Sequence, residues 1–413
     1  MTVYLHSLGC DKNLVDSEVM LGRLYESGHK SVAGPDTADL IVVNTCGFIQ
    51  DAVEEGIETI LKMAEHKKEG ARLVVTGCMA KRYRDEILAE IPEVDEIVDS
   101  VDITIEEAKR VRTMPLHVAY VKISEGCDNH CTYCTIPMIK GPYRDRKFES
   151  IIKECKWLVE SGAKELVLVA QDTARYGMAL YGRQRLHELL QTISEIDGLG
   201  WVRVLYAYPE HIYPELVEAI AGSDKVCKYI DMPIQHSHPD VLDRMGRKSI
   251  DLLALVARLR ERGITIRTTL IAGFPGETEE EYGHLREFVK QVKFDHLGVF
   301  AYSREDGTPA AQMKPQTKAA VKKARQKELM AIQSEIAGNN SKAMVGQVLK
   351  IMVDGKVEEN VYSGRSQRDT YDVDGAVFFP SDYEWMSGDY VKVKVVKAHG
   401  YDLYGELVDI VED

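Results

Sequence analysis

The chain has 413 residues, 45% of them hydrophobic and 29% charged, with a formal net charge of −14. That balance suits a globular protein of two or three domains and excludes collagen-like, mucin-like and wholly disordered chains. No apolar run approaches the ~20 residues that span a bilayer, and Met1-Thr2-Val3-Tyr4-Leu5-His6 has no basic leader, so a cytoplasmic protein without membrane association is expected.

The first hundred residues alternate strand and helix. Strands are expected at 3–7, 40–44, 73–76 and 97–98. Helices are expected at 14–27, 50–68 and 82–90, where apolar residues recur at helical spacing. Strands regularly separated by helices imply a parallel sheet covered on both faces. Residues 100–116 read as a linker helix and a crossing segment. Six further strand–helix units follow, with strands at 118–123, 166–170, 202–206, 229–232, 265–271 and 297–301. This is a (βα) barrel pattern of six units, whose working face is the carboxyl ends of the strands. A Lys-, Ala- and Gln-rich helix at 318–340 leaves the barrel. Residues 341–411 form about five strands of a closed all-β domain. The fold class is α/β multidomain, with domains at 1–110, 117–340 and 341–413.

Charge differs between these regions. Residues 1–110 carry 12 basic and 22 acidic side chains, whereas residues 340–413 carry 8 and 14. The middle is balanced. Acidic ends attract a basic partner more readily than a phosphate backbone.

The eight cysteines carry the chemistry. In a long cytosolic chain, metal or redox work is the better reading than a disulfide framework. Cys10, Cys46 and Cys78 each follow a strand, beside Gly9, Gly47 and Gly77. Loops at the carboxyl ends of parallel strands converge on one edge, so three thiols meet there. Three unrelated buried cysteines are the plain alternative, and the equivalence of the positions argues against it. Cys127-Asp128-Asn129-His130-Cys131-Thr132-Tyr133-Cys134 places three more in the loop after the first barrel strand. Zinc would want a fourth ligand, whereas three thiolates on one loop suit a 4Fe-4S cluster with one open iron. Cys155 and Cys227 lack cysteine neighbours and read as small buried hydrophobes. His236 is either a face residue or a scaffold histidine. Arg244, Arg247 and Lys248 are either anion contacts or solvated helix ends.

The CxxxCxxC loop after the first strand of a six-unit barrel resembles the signature of the radical S-adenosylmethionine (SAM) superfamily. The resemblance implies that the open iron chelates SAM and that one electron cleaves SAM to a 5′-deoxyadenosyl radical. It also implies cofactor contacts. Tyr133 is similar to the aromatic beside the SAM adenine. Thr269, Gly273, Pro275 and Gly276 lie in Thr268-Thr269-Leu270-Ile271-Ala272-Gly273-Phe274-Pro275-Gly276, which resembles the adenine-contacting fifth-strand motif. The two glycines are expected to let backbone approach the ligand. Gln171 and Gln235, after the second and fourth strands, join them on the same face.

The three-domain layout resembles the methylthiotransferases over essentially the whole chain, with a last domain similar to TRAM. Membership would make Cys10, Cys46 and Cys78 ligands of a second 4Fe-4S cluster carrying sulfide. One SAM would then methylate that sulfur, and a second would supply the radical that takes a substrate hydrogen. One branch of the family modifies a tRNA adenosine. The other modifies an aspartate β-carbon of small-subunit ribosomal protein twelve. Ser7-Leu8-Gly9-Cys10 with Lys12-Asn13-Leu14-Val15-Asp16-Ser17-Glu18, then Gln171-Asp172-Thr173 and Pro233-Ile234-Gln235-His236, resemble the ribosomal-protein branch. Asp11 stands where that branch usually has proline. The acidic last domain fits a basic protein substrate, and tRNA is not expected as a partner. A flavodoxin or ferredoxin is the implied reductant. A tRNA methylthiotransferase, and a non-catalytic iron–sulfur RNA-binding or assembly factor, are the alternatives. No residue is assigned to proton transfer.

Overall fold

The fold begins with a parallel sheet of short strands, β1 (Thr2–Ser7), β2 (Lys30–Ser31), β3 (Leu40–Thr45), β4 (Arg72–Thr76) and β5 (Glu96–Ile97), in the order β2-β1-β3-β4-β5. The computed structural model describes residues 1–100, 102 and 109–410. One face of this sheet buries Ile41, Val43, Leu73 and Val75 against Ile60, Met63 and Ile87. The other packs Val3, Val42 and Val74 on Met20 and Leu24 of helix Asp11–Glu26. That helix starts three residues earlier than its apolar spacing implies, with Cys10 as its N-cap. The helix expected at 82–90 is two, Gly77–Arg82 and Arg84–Glu90, broken at Tyr83. Most of the expected linker helix lies outside the described residues, and 109–116 are not helical.

The central unit holds β6 (Val118–Lys122), a small ribbon of β7 (Ser124–Glu125) and β8 (Arg144–Asp145), then β9 (Glu165–Val169), β10 (Trp201–Val204), β11 (Tyr229–Asp231), β12 (Thr265–Ala272) and β13 (His296–Ala301). Two three-stranded parallel sheets, β10-β9-β6 and β11-β12-β13, meet through the bridge Val202–Val226. The barrel is therefore partial, with β6 and β13 as open edges.

Helix Ala319–Lys342 does not leave the barrel, as its polar composition suggests. It lies along the β13 edge, burying Leu329, Gln333 and Ile336. Gln326 donates to the carbonyl of Val299 at 2.8 Å, Gln333 to that of Phe294 at 3.0 Å, and Lys322 to that of Tyr302 at 2.7 Å. Its polar residues satisfy an edge that would otherwise present unpaired backbone.

The last unit is a closed barrel of β14 (Val348–Glu358), β15 (Val361–Arg365), β16 (Val377–Pro380), β17 (Tyr390–His399) and β18 (Asp402–Ile410), in the order β14-β15-β16-β18-β17. Among the described residues, no helix is long and apolar enough to cross a membrane.

Candidate cofactor and substrate site

The carboxyl ends of β1, β3 and β4 bring Cys10, Cys46 and Cys78 together. Gly9 has φ +87°, and a Cβ there would lie 2.7 Å from Cys46 Cβ and 3.1 Å from its Sγ. A Cβ on Gly47 would come within 2.6 Å of the Met79 backbone and 2.9 Å of the Cys78 carbonyl carbon. The three loops thus touch, and only glycine permits that approach. Asn13 stitches them, donating to the carbonyls of Leu8 at 2.9 Å and Thr45 at 3.0 Å. Asn44 returns to the carbonyl of Asn13 at 2.9 Å and to Ser17 Oγ at 2.7 Å.

In the barrel loop, Cys127 Sγ accepts from the Asn129 N–H, and Cys134 Sγ from the Ile136 N–H, both at 3.4 Å. Cys131 Sγ lies 3.1 Å from Tyr208 Oη. All eight cysteines are free thiols. Burial raises Cys46, pushes Cys127 up to about 11, and pushes Cys78 and Cys134 up to about 12. Such thiols hold their protons at neutral pH until a metal displaces them. Backbone N–H groups aimed at sulfur, unpaired thiols and glycine-lined clearance fit iron–sulfur ligation at both triads.

Residues outside the cysteines fix the loop geometry. Buried Asp172 accepts from Asn129 Nδ2 at 3.0 Å and pairs with His211 Nδ1 at 2.6 Å. Arg247 is buried. It grips Glu210 through both oxygens at 2.9 and 2.8 Å and lies 3.7 Å above the Tyr208 ring. Arg244 is likewise engaged, with Glu281 at 2.9 Å on both nitrogens. Neither arginine is a solvated helix end. His236 is fully buried, with Nδ1 accepting from the His238 N–H at 3.0 Å and Nε2 3.6 Å from Glu277. It is scaffold. Cys155 and Cys227 are buried.

The expected SAM contacts fall on the carboxyl face with differing freedom. Tyr133 packs edge-on against Phe274 at 6.4 Å, joining the cluster loop to the fifth-strand motif. Thr269 is half-buried on β12. Gln171 Nε2 donates to Glu125 at 3.1 Å, and its Oε1 is buried without a partner. Gln235 has φ +70°, and its Oε1 is also buried and unpartnered. A non-glycine residue held at positive φ is a mark of functional sites. The two glycines differ in how closely they are packed. A Cβ on Gly273 would meet Lys322 Cγ at 2.4 Å, and its N–H donates to Glu277 at 2.9 Å. Gly276 donates to the carbonyl of Pro315 at 2.9 Å. A Cβ on Gly276 would meet only Arg244 Nε, at 3.7 Å, and Pro275 sits in the turn between the two glycines.

Spacing could not reveal what joins the triads. Tyr206, Ala207 and Tyr208 follow β10. Tyr206 has φ +59°, and its Oη donates to Asp11 Oδ1 at 3.2 Å, beside Cys10. Tyr208 reaches Cys131. One tripeptide therefore reaches both the residue after Cys10 and the thiol of Cys131. Asp11 occupies the first helical position, where proline is also favoured, so its presence leaves the loop geometry intact. Lys122 is paired with Asp16 and Glu125, and Lys140 with Asp16 at 3.2 Å, which locks the first unit onto the barrel. Arg82–Glu305 at 3.2 Å pins the Cys46 loop from the other side.

Family models match residues 2–99 (uncharacterized protein family UPF0004), 121–289 (radical SAM superfamily) and 345–408 (TRAM domain). The chain is 48% identical over 437 residues to the ribosomal protein uS12 methylthiotransferase RimO of Lachnoclostridium phytofermentans, covering 98% of this chain and 99% of that one. It is 43% identical over 439 residues to the protein of the same name from Clostridioides difficile, covering 99% of each. Among solved structures, the radical SAM methyltransferase TsrM from Kitasatospora setae superposes with a TM-score of 0.55 at 15% identity, over 88% of this chain and 80% of that one. At that identity the likeness shows the fold alone.

Proposed function

Since the chain belongs to the RimO family of ribosomal protein uS12 methylthiotransferases, we propose that it replaces a hydrogen on the β-carbon of an aspartyl residue of uS12 with a methylthio group. It is a radical SAM transferase that uses SAM and iron–sulfur chemistry. In the finer assignment, Cys127, Cys131 and Cys134 hold one 4Fe-4S cluster, and Cys10, Cys46 and Cys78 hold a second that carries sulfide. When bound, the first group supplies the electron that cleaves SAM and the second supplies the sulfur. The labour divides over residues 1–110, 117–340 and 341–413. A flavodoxin or ferredoxin serves as reductant, in the cytoplasm.

The observation that carries this reading is the Tyr206–Tyr208 tripeptide, with one hydroxyl at the Cys10 loop and the other at Cys131. Methylthiolation needs radical generation and sulfur donation to face one substrate carbon, and this segment spans the two cysteine sets. The chain's own residues shape the space between. Asp172 and Arg247 hold the Cys127–Cys134 loop in place. Gln171 and Gln235, which follow β9 and β11, carry buried amide oxygens without a partner. Tyr133, Thr269 and the Gly273–Gly276 turn form the adenine side.

One feature favours the tRNA branch. Exposed Lys350, Lys392, Lys394 and Lys397 lie on the adjacent strands β14 and β17, and Lys397 sits 5.7 Å from the ring of exposed Tyr404. The test treats both substrates together. Anaerobically reconstituted protein receives SAM, a strong reductant, the uS12 loop peptide and unmodified tRNA. A methylthio mass gain on the peptide alone is expected, and a gain on tRNA alone would overturn the reading. Cys131→Ala is expected to abolish 5′-deoxyadenosine formation. Cys46→Ala is expected to retain that cleavage and lose thiolation, so surviving thiolation would refute the division between the triads.

A further inference from the structure

Lys12 is the second residue of helix Asp11–Glu26, two positions after Cys10. Its Nζ sits 3.3 Å from the centroid of the Tyr206 ring, so its charge lies beside the segment that spans the two cysteine sets. We propose that Lys12 binds the carboxylate of the substrate's aspartyl side chain and so selects aspartate over its neutral amide. The inference rests on the substrate reading above.

Several other buried or half-buried cations around this face are committed to carboxylates. Lys122 pairs with Asp16 and Glu125, Lys140 with Asp16 at 3.2 Å and Arg247 with Glu210 at 2.8 Å. Arg267 lies 3.1 Å from Asp231 and 3.4 Å from Asp374, and Arg175 lies 3.2 Å from Asp128. Lys12 is placed differently. Its acceptor is Asp11 Oδ1 at 3.2 Å. That oxygen already receives Tyr206 Oη at 3.2 Å and the Lys12 backbone N–H at 2.9 Å. An ammonium has three donors. One goes to Asp11 and the ring takes the cation's face, which leaves donor capacity for a further acceptor. The side chain keeps 13% exposure, enough for a ligand to reach it.

The chemistry makes such a contact useful. A hydrogen can be taken from a β-carbon only if that carbon is held near the reacting group. The carboxylate is bonded directly to the β-carbon, so anchoring it positions the carbon. The surrounding unit is strongly acidic, with 22 acidic against 12 basic side chains over residues 1–110. That field attracts a basic protein but repels the target carboxylate itself, so a local cation is needed where the side chain enters. An asparagine would keep a hydrogen bond and lose the charge assistance.

The experiment uses protein loaded with both clusters, with iron and sulfide content matched between variants. Fluorescence anisotropy measures Kd for the uS12 loop peptide and for its Asp→Asn counterpart, and mass spectrometry follows methylthiolation of both. The unmodified chain is expected to bind the aspartate peptide about tenfold more tightly, the typical scale of one charge-assisted hydrogen bond. Lys12→Gln is expected to bring that ratio to about one. Lys12→Met keeps the apolar stem over Tyr206 and decides the matter if the glutamine variant does not load. A loaded variant that keeps the preference, or an unmodified chain that shows none, overturns the inference. If the unmodified chain adds no methylthio group to the aspartate peptide, the substrate reading itself has failed. If it does add one and the ratio is insensitive to Lys12, only the inference has failed.

Discussion

Arg247 shows how a single side chain sets the geometry around a cofactor loop. Its guanidinium meets Glu210 with two parallel bonds, donates to the carbonyl of Pro233 at 3.1 Å and covers Tyr208. Tyr208 in turn reaches Cys131. Removing one partner of a buried pair strands the other charge, at a cost of roughly 3–5 kcal/mol. Arg247→Ala is therefore expected to lower the urea midpoint and to reduce the iron held by the Cys127–Cys134 loop more than that held by the first unit. Arg247→Lys keeps the charge but not the fork and is expected to fall between. A variant with the parental midpoint and full iron would show that the Glu210 pair does not hold this loop. In the sequence, Arg247 was one of three basic residues with two competing readings. Its partner lies 37 positions away, so no local pattern could decide between them.

At the level of elements, helix Glu279–Val292 begins with a reciprocal cap. Thr278 accepts from the Glu281 N–H at 3.2 Å, and Glu281 accepts from the Thr278 N–H at 2.7 Å. Thr278 is legible as a cap in the sequence, because it comes just after the Gly273-Phe274-Pro275-Gly276 turn and precedes three glutamates. The partnership of Glu281 with Arg244 is not. Burial pushes the Glu281 carboxyl up, but Arg244 and the cap more than offset this, and its pKa falls from 4.5 to about 2. A depressed carboxylate contributes stability that is complete above its unfolded value and is lost as pH falls through the folded one. Glu281→Gln keeps the cap and loses the ion pair. It is expected to cost about 1 kcal/mol at pH 7, with the gap closing as pH falls from about 4.5 toward 2. Thermal unfolding of cluster-free protein at a series of pH values measures it, and a gap constant with pH would rule out the pair as its source.

On the scale of the whole molecule, the last barrel closes the amino-terminal end of the partial barrel. Glu165 on β9 is buried between Arg203 on β10, at 2.8 Å, and Arg365 on β15. Tyr229 donates to Asp374 at 2.7 Å, and Arg368 pairs with Asp295 at 2.9 Å. Glu165→Ala leaves two buried arginines facing one another and is expected to cost roughly 3–5 kcal/mol. Faster proteolysis at 343–347, between the long helix and β14, is the accompanying sign, and an unchanged cleavage rate would place the docking energy elsewhere. This junction also takes up part of the domain's charge. Asp369 and Asp374 are turned inward against the barrel, while lysines occupy the exposed β14–β17 face. With those two carboxylates and the buried Arg365 set aside, acidic side chains still outnumber basic ones in this domain, so the lysines form a basic strip on an acidic surface. The substrate reading stands on the full-length relatives.

Periodicity and cysteine spacing alone determined the three-unit layout, the parallel strands and the two cysteine triads. Those signals are local, since the 2- and 3.6-residue periods and the CxxxCxxC spacing need no partner to be read. Only the tertiary structure decided which polar residues serve the site. Gly273 is closely packed because Lys322 arrives from a distant helix, whereas Gly276 keeps room for a Cβ. The long helix proved to be an edge cover because Gln326 meets the Val299 carbonyl of β13 and Gln333 the Phe294 carbonyl just before it. Tyr206 and Tyr208 carry no sequence signal at all. Their role arises from long-range closure, which sets one strand end between two loops that lie about 120 residues apart in the chain.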